Sequence, residues 1–450
     1  MDSSNISKKA LDITDQLISS ALKSGADAAD SVVFESVSLD ATYRLGKLEE
    51  VERSESTDLG LRVFIGKKQA FVSSTDFSPQ SLDPLVERAV AMVKEAPEDP
   101  YCGLAQGDLL AKDFPELDLV DPTEPTTEEL QEIAATAEES ALAVSGITNS
   151  EGASASWSRG GVVLATSEGF RGSSHSTSFS LSCAVLAGQG MNMEMNYDFH
   201  SALHREDLKD AAEIGRTAAE RALRALNARQ VSSQAVPVVY ENRLSNSLLR
   251  HFAGAILGTG IARNTSFLID KLGKAVFAEN IDIIDDPHRP RGLASEPFDG
   301  EGVANQKTTI VENGVLKTWL LDTATARQLD LTTTGHAMRG TGGPPSPGWS
   351  NLYMKPGDQT PEALIGDIDQ GLFVNSMFGP SINATTGDYS VGVSGLWIDK
   401  GELTYPVNEI TIAGNLIDMF RHITPANDLS FRYGTNAPTL RVEGMMVAGA

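Results

Sequence analysis

Residues 31–76 read SVVFESVSLDATYRLGKLEEVERSESTDLGLRVFIGKKQAFVSSTD, and glycine breaks the β-branched runs at Leu45-Gly46-Lys47 and Ile65-Gly66-Lys67. Side chains of a strand alternate between two faces, and glycine tolerates the positive φ of a tight turn. The stretch predicts a meander of antiparallel strands. Helices flank it. Leu11, Leu17, Ile18, Ala21 and Leu22 recur at helical spacing over 7–24, and Gly25 ends that pattern. Leu82, Leu85, Val86, Ala89, Val90 and Val93 form an amphipathic stripe over 81–96. Residues 97–125, rich in Pro, Asp and Glu, read as a connecting loop. A third helix starts at Thr126, where Glu129 completes a capping box, and its buried face is Leu130, Ile133, Ala134, Ala137 and Ala141. Short alternating runs return over 147–203, followed by an Ala-rich helix at about 205–228.

The polar stretch ARQVSSQA, 228–235, marks the best boundary, giving domains 1–230 and 231–450, and a chain of 450 residues has room for two. Beyond it PVVYEN reads as a strand and SNSLLRHFAGAILGTG, 245–260, as a helix. TTIVENGVLKTWLLD, SGLWIDKGELTYPVNEITIAG and LRVEGMMVAG then read as strands around hairpin turns. The fold class is α+β: an N-terminal α/β-type domain with an antiparallel sheet and flanking helices, then a mostly antiparallel β domain with few helices.

Acidic residues outnumber basic ones 61 to 36, for a formal charge of −25, and no Lys/Arg run occurs. Such a chain repels phosphate backbones and anionic membranes overall. Cys102 and Cys183 are far apart and sit in no CxxC spacing, so neither a disulfide framework nor a Cys-type zinc site is expected. The N-terminus has no apolar signal core, and no window approaches the ~18 apolar residues of a membrane span. The expectation is a reduced, soluble, cytoplasmic protein without nucleic-acid or membrane partners.

Few residues could carry chemistry. His200 and His204 lie four apart, which on a helix sets the rings about 40° apart, but the pair falls where a strand pattern meets a helix. A solvated or capping role is expected. Asp285, Asp286 and His288 share a Pro-bounded loop and could hold a divalent ion or act as acid and base. The bland reading is a turn whose acids pair with Arg289 and Arg291. Met191, Met193 and Met195 alternate as one packed strand face would. GTGIAR, 258–263, lacks the strand–turn–helix setting of a dinucleotide site, and neither GxxxxGK[ST] nor GxSxG occurs. On a wheel centred on Leu248, the residues Leu244, Phe252, Ala255 and Ile256 fall within about 80°, while His251 lies about 60° to one side and Arg250 nearly opposite. His251 reads as a packed rim residue.

Several long segments resemble the TldD/PmbA family, in its PmbA (TldE) branch. They are TSFLIDKLGKAVF (265–277), IDDPHRPRGLASEPFDGEGV (284–303), SNLYMKPG (350–357) and TGDYSVGVSGLWIDKGELTYPVNEITIAGNLIDMFRHI (386–423), with STDLGLRVFIGKKQA and EAPEDPYCGL near the N-terminus. The resemblance implies a heterodimeric cytoplasmic zinc metalloprotease acting on small unfolded or modified peptides. Its TldD-type subunit carries HExxxH on a helix, with two histidines on zinc, a glutamate as base and a cysteine near the C-terminus. An ungapped register from Thr265-Ser266 puts the histidines on Leu249 and Gly254 and the glutamate on Arg250, none of which can ligate zinc or act as a base. LSFRYGTNAPTL after Asp428 offers no cysteine. The family's older label, modulator of DNA gyrase, gains no support from the acidic composition as direct DNA binding.

The leading expectation is thus a metal-free, silent subunit, with zinc in a TldD-type partner, peptides held in extended form along a sheet edge, and Gly387, Asp388, Tyr389 and Ser390 in a peptide groove. A homodimer of the isolated chain stays open. The alternatives are an independent metal-dependent hydrolase using Asp285, Asp286 and His288, and a regulatory protein-binding module.

Overall fold

A computed structural model describes residues 3–449, with side chains from Lys8 onward except that of Met191. Six strands form one antiparallel sheet in the order β3-β2-β1-β4-β5-β6. They are β1 (Ala28–Arg44), β2 (Lys47–Ile65), β3 (Lys68–Ser74), β4 (Ile147–Thr166), β5 (Arg171–Ala187) and β6 (Glu194–Ala202). The predicted meander is β1–β3, turning at Gly46 and Gly66 with φ of 76° and 57°. The short runs expected over 147–203 are instead long strands, β4 alone having 20 residues, which at strand rise spans roughly 65 Å.

So long a sheet needs cover along its length, and it gets two cores. Helices α1 (Ser3–Lys23) and α2 (Pro79–Glu95) bury Leu17, Ala21, Leu82, Val86 and Ala89 against Val33, Leu59 and Leu61. Helices α3 (Thr127–Leu142) and α4 (Ala211–Ala225) bury Leu130, Ala134, Ala137, Ile214 and Ala218 against Trp157, Phe179 and Leu181. The α3 capping box is present, Glu129 N–H donating to Thr126 Oγ1 and Thr126 N–H to Glu129 Oε2. Gly215 and the alanines let α3 and α4 touch: a Cβ on Gly215 would stand 1.9 Å from Ala137 O. Glu138, fully buried on α3, accepts the Leu45 and Gly46 amides and so fixes the β1–β2 turn. Helix α4 starts at Ala211, later than expected, because 205–207 form a separate 3-10 turn and Asp210 caps through Glu213 N–H.

The later strands close a ring. β7 (Gln234–Tyr240) pairs with β14 (Gln370–Ile382) and with β19 (Leu440–Ala448). β14 pairs with β15 (Asp388–Asp399), β15 with β16 (Glu402–Asn415), and β16 returns to β19. Closure leaves those strands no free edge. β17 (Ile423–Pro425) attaches to β19. A second small sheet runs β10 (Val315–Leu316), β9 (Thr308–Glu312), β8 (Ile283–Asp285), β13 (Leu352–Met354), β18 (Thr435–Asn436), and β11 (Ala337–Met338) pairs with β12 (Ser346–Pro347). No helix among the described residues is long and apolar enough to cross a membrane.

The long sheet is bolted to the later strands by buried charge. Asp30 on β1 receives Arg62 Nε at 2.8 Å and also binds Arg339, all three side chains being 2–5% exposed. The 97–125 segment is a strap rather than a free connection. Leu110 bridges to Val303, and Arg327 donates to the carbonyls of Tyr101, Gly103 and Leu104. Burial alone would raise the Asp30 pKa, but Arg339 and Arg62 more than reverse it and hold it below the ordinary value. Its stabilisation is therefore complete above the ordinary carboxylate range and is lost as pH falls through the lowered folded value. Asp30→Ala, which strands two buried guanidiniums, should cost about 3–5 kcal/mol in urea unfolding at neutral pH. A loss under about 1 kcal/mol would show that the bolt is dispensable.

Candidate functional site

Helix α5 (Asn242–Ala255) follows β7 after a single residue, Glu241. The closed ring fixes the end of β7, so the helix direction is fixed too. Leu248, Leu249, Phe252 and Ala253 enter the same core as Tyr240, Tyr389, Val391 and Phe420. The buried stripe is wider than the wheel suggests, taking in Leu249 and Ala253, while Leu244 is only partly buried. The reason is that α5 is covered on two sides, by the ring and by the 428–439 loop. Ser245 Oγ donates to Ala437 O at 3.1 Å, and Tyr433 Oη to Arg243 O at 3.3 Å. The loop is itself tied, with Asp428 accepting Thr439 N–H and Oγ1–H.

Arg250 and Gly254 face outward, and nothing lies within 4 Å of a Cβ placed on Gly254. His251 is half-buried, its ring edge-on to Tyr389 with centroids 5.9 Å apart. Burial, and then Arg250, lower its pKa, so it is a neutral packed ring at pH 7. Tyr389 is pushed up to about 12 by burial, and its Oη lies 3.5 Å from Tyr240 Oη. Gly387 takes a φ of 80°, and Asp388 accepts from Thr386 Oγ1 and Asn415 Nδ2. Tyr389 and Ser390 have strand neighbours on both sides, Ile382 and Ser381 on β14, Gly414 and Ala413 on β16. Residues 387–390 thus stand beside α5 but offer no edge for an added peptide strand. One edge of the long sheet, β6, is also occupied: the carbonyl of Tyr197 receives Arg221 and Arg243, and that of Phe199 receives Arg432.

The other singled-out residues are not brought together. Asp285 is buried and accepts Ser350 N–H and Oγ–H, with His336 Nε2 at 3.4 Å. Asp286 pairs with Lys307 at 2.9 Å, and His288 Nε2 meets Asn305 Oδ1 at 2.8 Å. Arg289 and Arg291 do not take up these acids as expected. Arg291 binds Asp118, Glu206 and Asp207, and Arg289 lies flat on Phe431, its guanidinium carbon 3.3 Å from the ring centroid. His200 ends β6 and His204 follows it, so they share no helix face. His204 stands at the N-cap position of the 205–207 turn without a side-chain cap bond and does not face solvent; it is 7% exposed and its Nε2 meets Asp118 O at 2.9 Å. Met193 precedes β6, and Met193 and Met195 are 49% and 55% exposed rather than packed, because this is the outermost strand. Met191 lies outside the described side chains. Cys183 is pushed up to about 12 by burial, then by Glu138, so it is no nucleophile. Among the described residues no three His, Cys, Asp or Glu are placed to hold a metal ion.

One feature escaped the sequence. A cleft of about 220 Å³ opens between the end of β6 and the loops carrying Arg289 and Phe431. HRPRG, a basic pair between prolines in an acidic chain, was the signal available for it.

The α5 geometry separates two substitutions at neighbouring positions of one helix. Leu249→Ala should cost about 2–5 kcal/mol of unfolding free energy, as core truncations do. Gly254→Ala should be neutral or gain up to about 1 kcal/mol, since the site is open and the backbone helical. Equal effects in thermal unfolding would contradict this orientation of the helix.

Comparison with known proteins bears on the whole chain. Residues 29–93, 120–226 and 233–449 match domain 1, the central domain and the C-terminal domain of PmbA/TldA metallopeptidases. The chain is 36% identical to metalloprotease PmbA of Escherichia coli O157:H7 over 442 residues, covering 97% of this chain and 96% of that one. It is 36% identical to a metalloprotease PmbA homologue of Haemophilus influenzae, covering 95% and 94%. A crystal structure of a candidate modulator of DNA gyrase from Bacteroides thetaiotaomicron superposes with a TM-score of 0.90 at 26% identity, covering 98% of each chain. TldE from Thermococcus kodakarensis shares the fold, with a TM-score of 0.86 at 21% identity over 97% of this chain and 100% of that one. The chain belongs to the PmbA/TldA metallopeptidase family, on its PmbA side.

Proposed function

We propose that this chain is the metal-free, non-catalytic subunit of a two-subunit cytoplasmic peptidase, built as domains 1–230 and 231–450, whose TldD-type partner supplies the zinc. The observation carrying this is α5. In the register set by Thr265-Ser266, the zinc-binding histidines of a TldD-type subunit fall on Leu249 and Gly254, and its general base on Arg250. Leu249 is 1% exposed and packs in the core, while Arg250 and Gly254 face outward. A leucine has no lone pair, a glycine no side chain, and a guanidinium neither binds zinc nor accepts a proton at pH 7. The donor set does not fit the metal, and no step of hydrolysis is assigned to these residues. What the chain supplies is a rigid wall: a helix held by a closed ring and a tied loop. Small unfolded or modified peptides are the substrates this reading implies for the complex.

An independent hydrolase at Asp285, Asp286 and His288 gains nothing from the geometry, since their partners are Ser350, Lys307 and Asn305. The purified chain alone should cleave no unstructured peptide. Mixing with a TldD-type subunit should restore cleavage, and His288→Ala should leave the restored rate within about twofold. Cleavage by the isolated chain, abolished by His288→Ala, would replace this reading with the hydrolase.

A further inference from the structure

The cleft beside β6 has a polar composition that the α5 argument does not use. Its apolar walls are Leu203, Leu293, Phe431 and Tyr433. Arg289 lines it with its guanidinium carbon 3.3 Å from the Phe431 ring centroid, and its side chain makes no hydrogen bond or ion pair among the described residues. Nearby Arg291 is saturated by three carboxylates, and Asp207, the one carboxylate on the lining, is among them. Asp286, the acid closest to Arg289 in sequence, is taken by Lys307. Stacking on a ring fixes the guanidinium plane and leaves its N–H fork unspent.

His200 provides a second donor. The Lys209 amide N–H donates to His200 Nδ1 at 3.3 Å. Nδ1 is therefore the acceptor nitrogen, and in the neutral ring the proton sits on Nε2. Burial, then Arg432 and Lys209, lower the His200 pKa, so the neutral form holds at pH 7. The lining thus includes two N–H donor side chains, Arg289 and His200, and no uncommitted carboxylate. The volume, about 220 Å³, is below the ~300 Å³ of ordinary small-molecule pockets. It admits the end of a chain rather than a run of chain passing through.

We propose that this cleft is a subsite for the C-terminal carboxylate of a peptide, gripped by the Arg289 fork and the His200 Nε2–H, with the last side chain against Phe431 and Tyr433. The proposal rests on the peptide-handling reading above. It gives this subunit a part in holding one end of a peptide while the partner acts elsewhere on it.

Fluorescence polarisation on the full chain tests this with a fluorescein-labelled hexapeptide bearing a free C-terminus, its C-terminal amide, and an amide ending in Glu. The free acid should bind at least about tenfold more tightly than either amide, as expected for charge-assisted hydrogen bonds. Arg289→Gln should abolish that preference, Arg289→Lys should keep part of it, and His200→Gln should narrow it. Equal affinity for acid and amide in the unmodified chain would overturn the subsite while leaving peptide handling intact. So would a preference that survives Arg289→Gln. A Glu-ended amide matching the free acid would overturn the terminal assignment. Binding of none of the three would overturn the subsite and the peptide reading together.

Discussion

A line of alternating charge runs from Arg432 through Asp198, Arg221 and Glu241 to Arg243, and it ties together β6, α4, α5 and the 428–439 loop. Asp198 on β6 is 3% exposed at its side chain and takes both Arg221 from α4, at 2.6 Å, and Arg432 from the loop beside α5, at 3.3 Å. Arg221 also reaches Glu241, which holds Arg243 of α5 at 2.8 Å. Desolvated carboxylates of this kind are tolerable only when paired, and the Asp198–Arg432 pair joins residues 234 apart in the chain. The line pins the outermost strand of the long sheet to the start of α5 and to the 428–439 loop. It also spends the outward carbonyls of β6, blunting an edge that would otherwise recruit foreign strands. The cleft beside His200 is lined by residues adjoining this line and by Arg291 and Asp207.

Local physics made much of the fold legible. The α2 stripe is buried at all six expected positions, Leu82, Leu85, Val86, Ala89, Val90 and Val93. The Thr126–Glu129 box and the Gly46 turn needed only neighbours within four residues. What was not legible is non-local. β4 looked like short runs because its middle, GASASWSRGG, carries little apolar signal; the α3 and α4 alanines pack in the same core as Ala153, Ala155 and Trp157. Ring closure pairs β7 with β19 across some two hundred residues, which no periodicity can announce. His204 looked exposed by its sequence setting, yet Asp118, 86 residues away, buries it as a hydrogen-bond partner. The methionines failed in the opposite sense: alternation was present, but β6 is the last strand of its sheet and Met193 and Met195 stay exposed.

The functional reading leans on both kinds of information. The proposed register sets α5 where a TldD-type subunit would carry its ligands, and packing shows what stands there in this chain. Leu249 is a core residue, so a histidine at this position in the present packing would be desolvated rather than presented. Gly254 and Arg250 face outward and could be exchanged without disturbing the fold. Helix α5 is held by strand, loop and charge at once.

The most direct measurement is the zinc content of the isolated chain after exposure to excess zinc and exhaustive dialysis, set beside that of its complex with a TldD-type subunit. The account predicts no stoichiometric zinc in the isolated chain and one zinc per heterodimer in the complex. One zinc retained per isolated chain would contradict it.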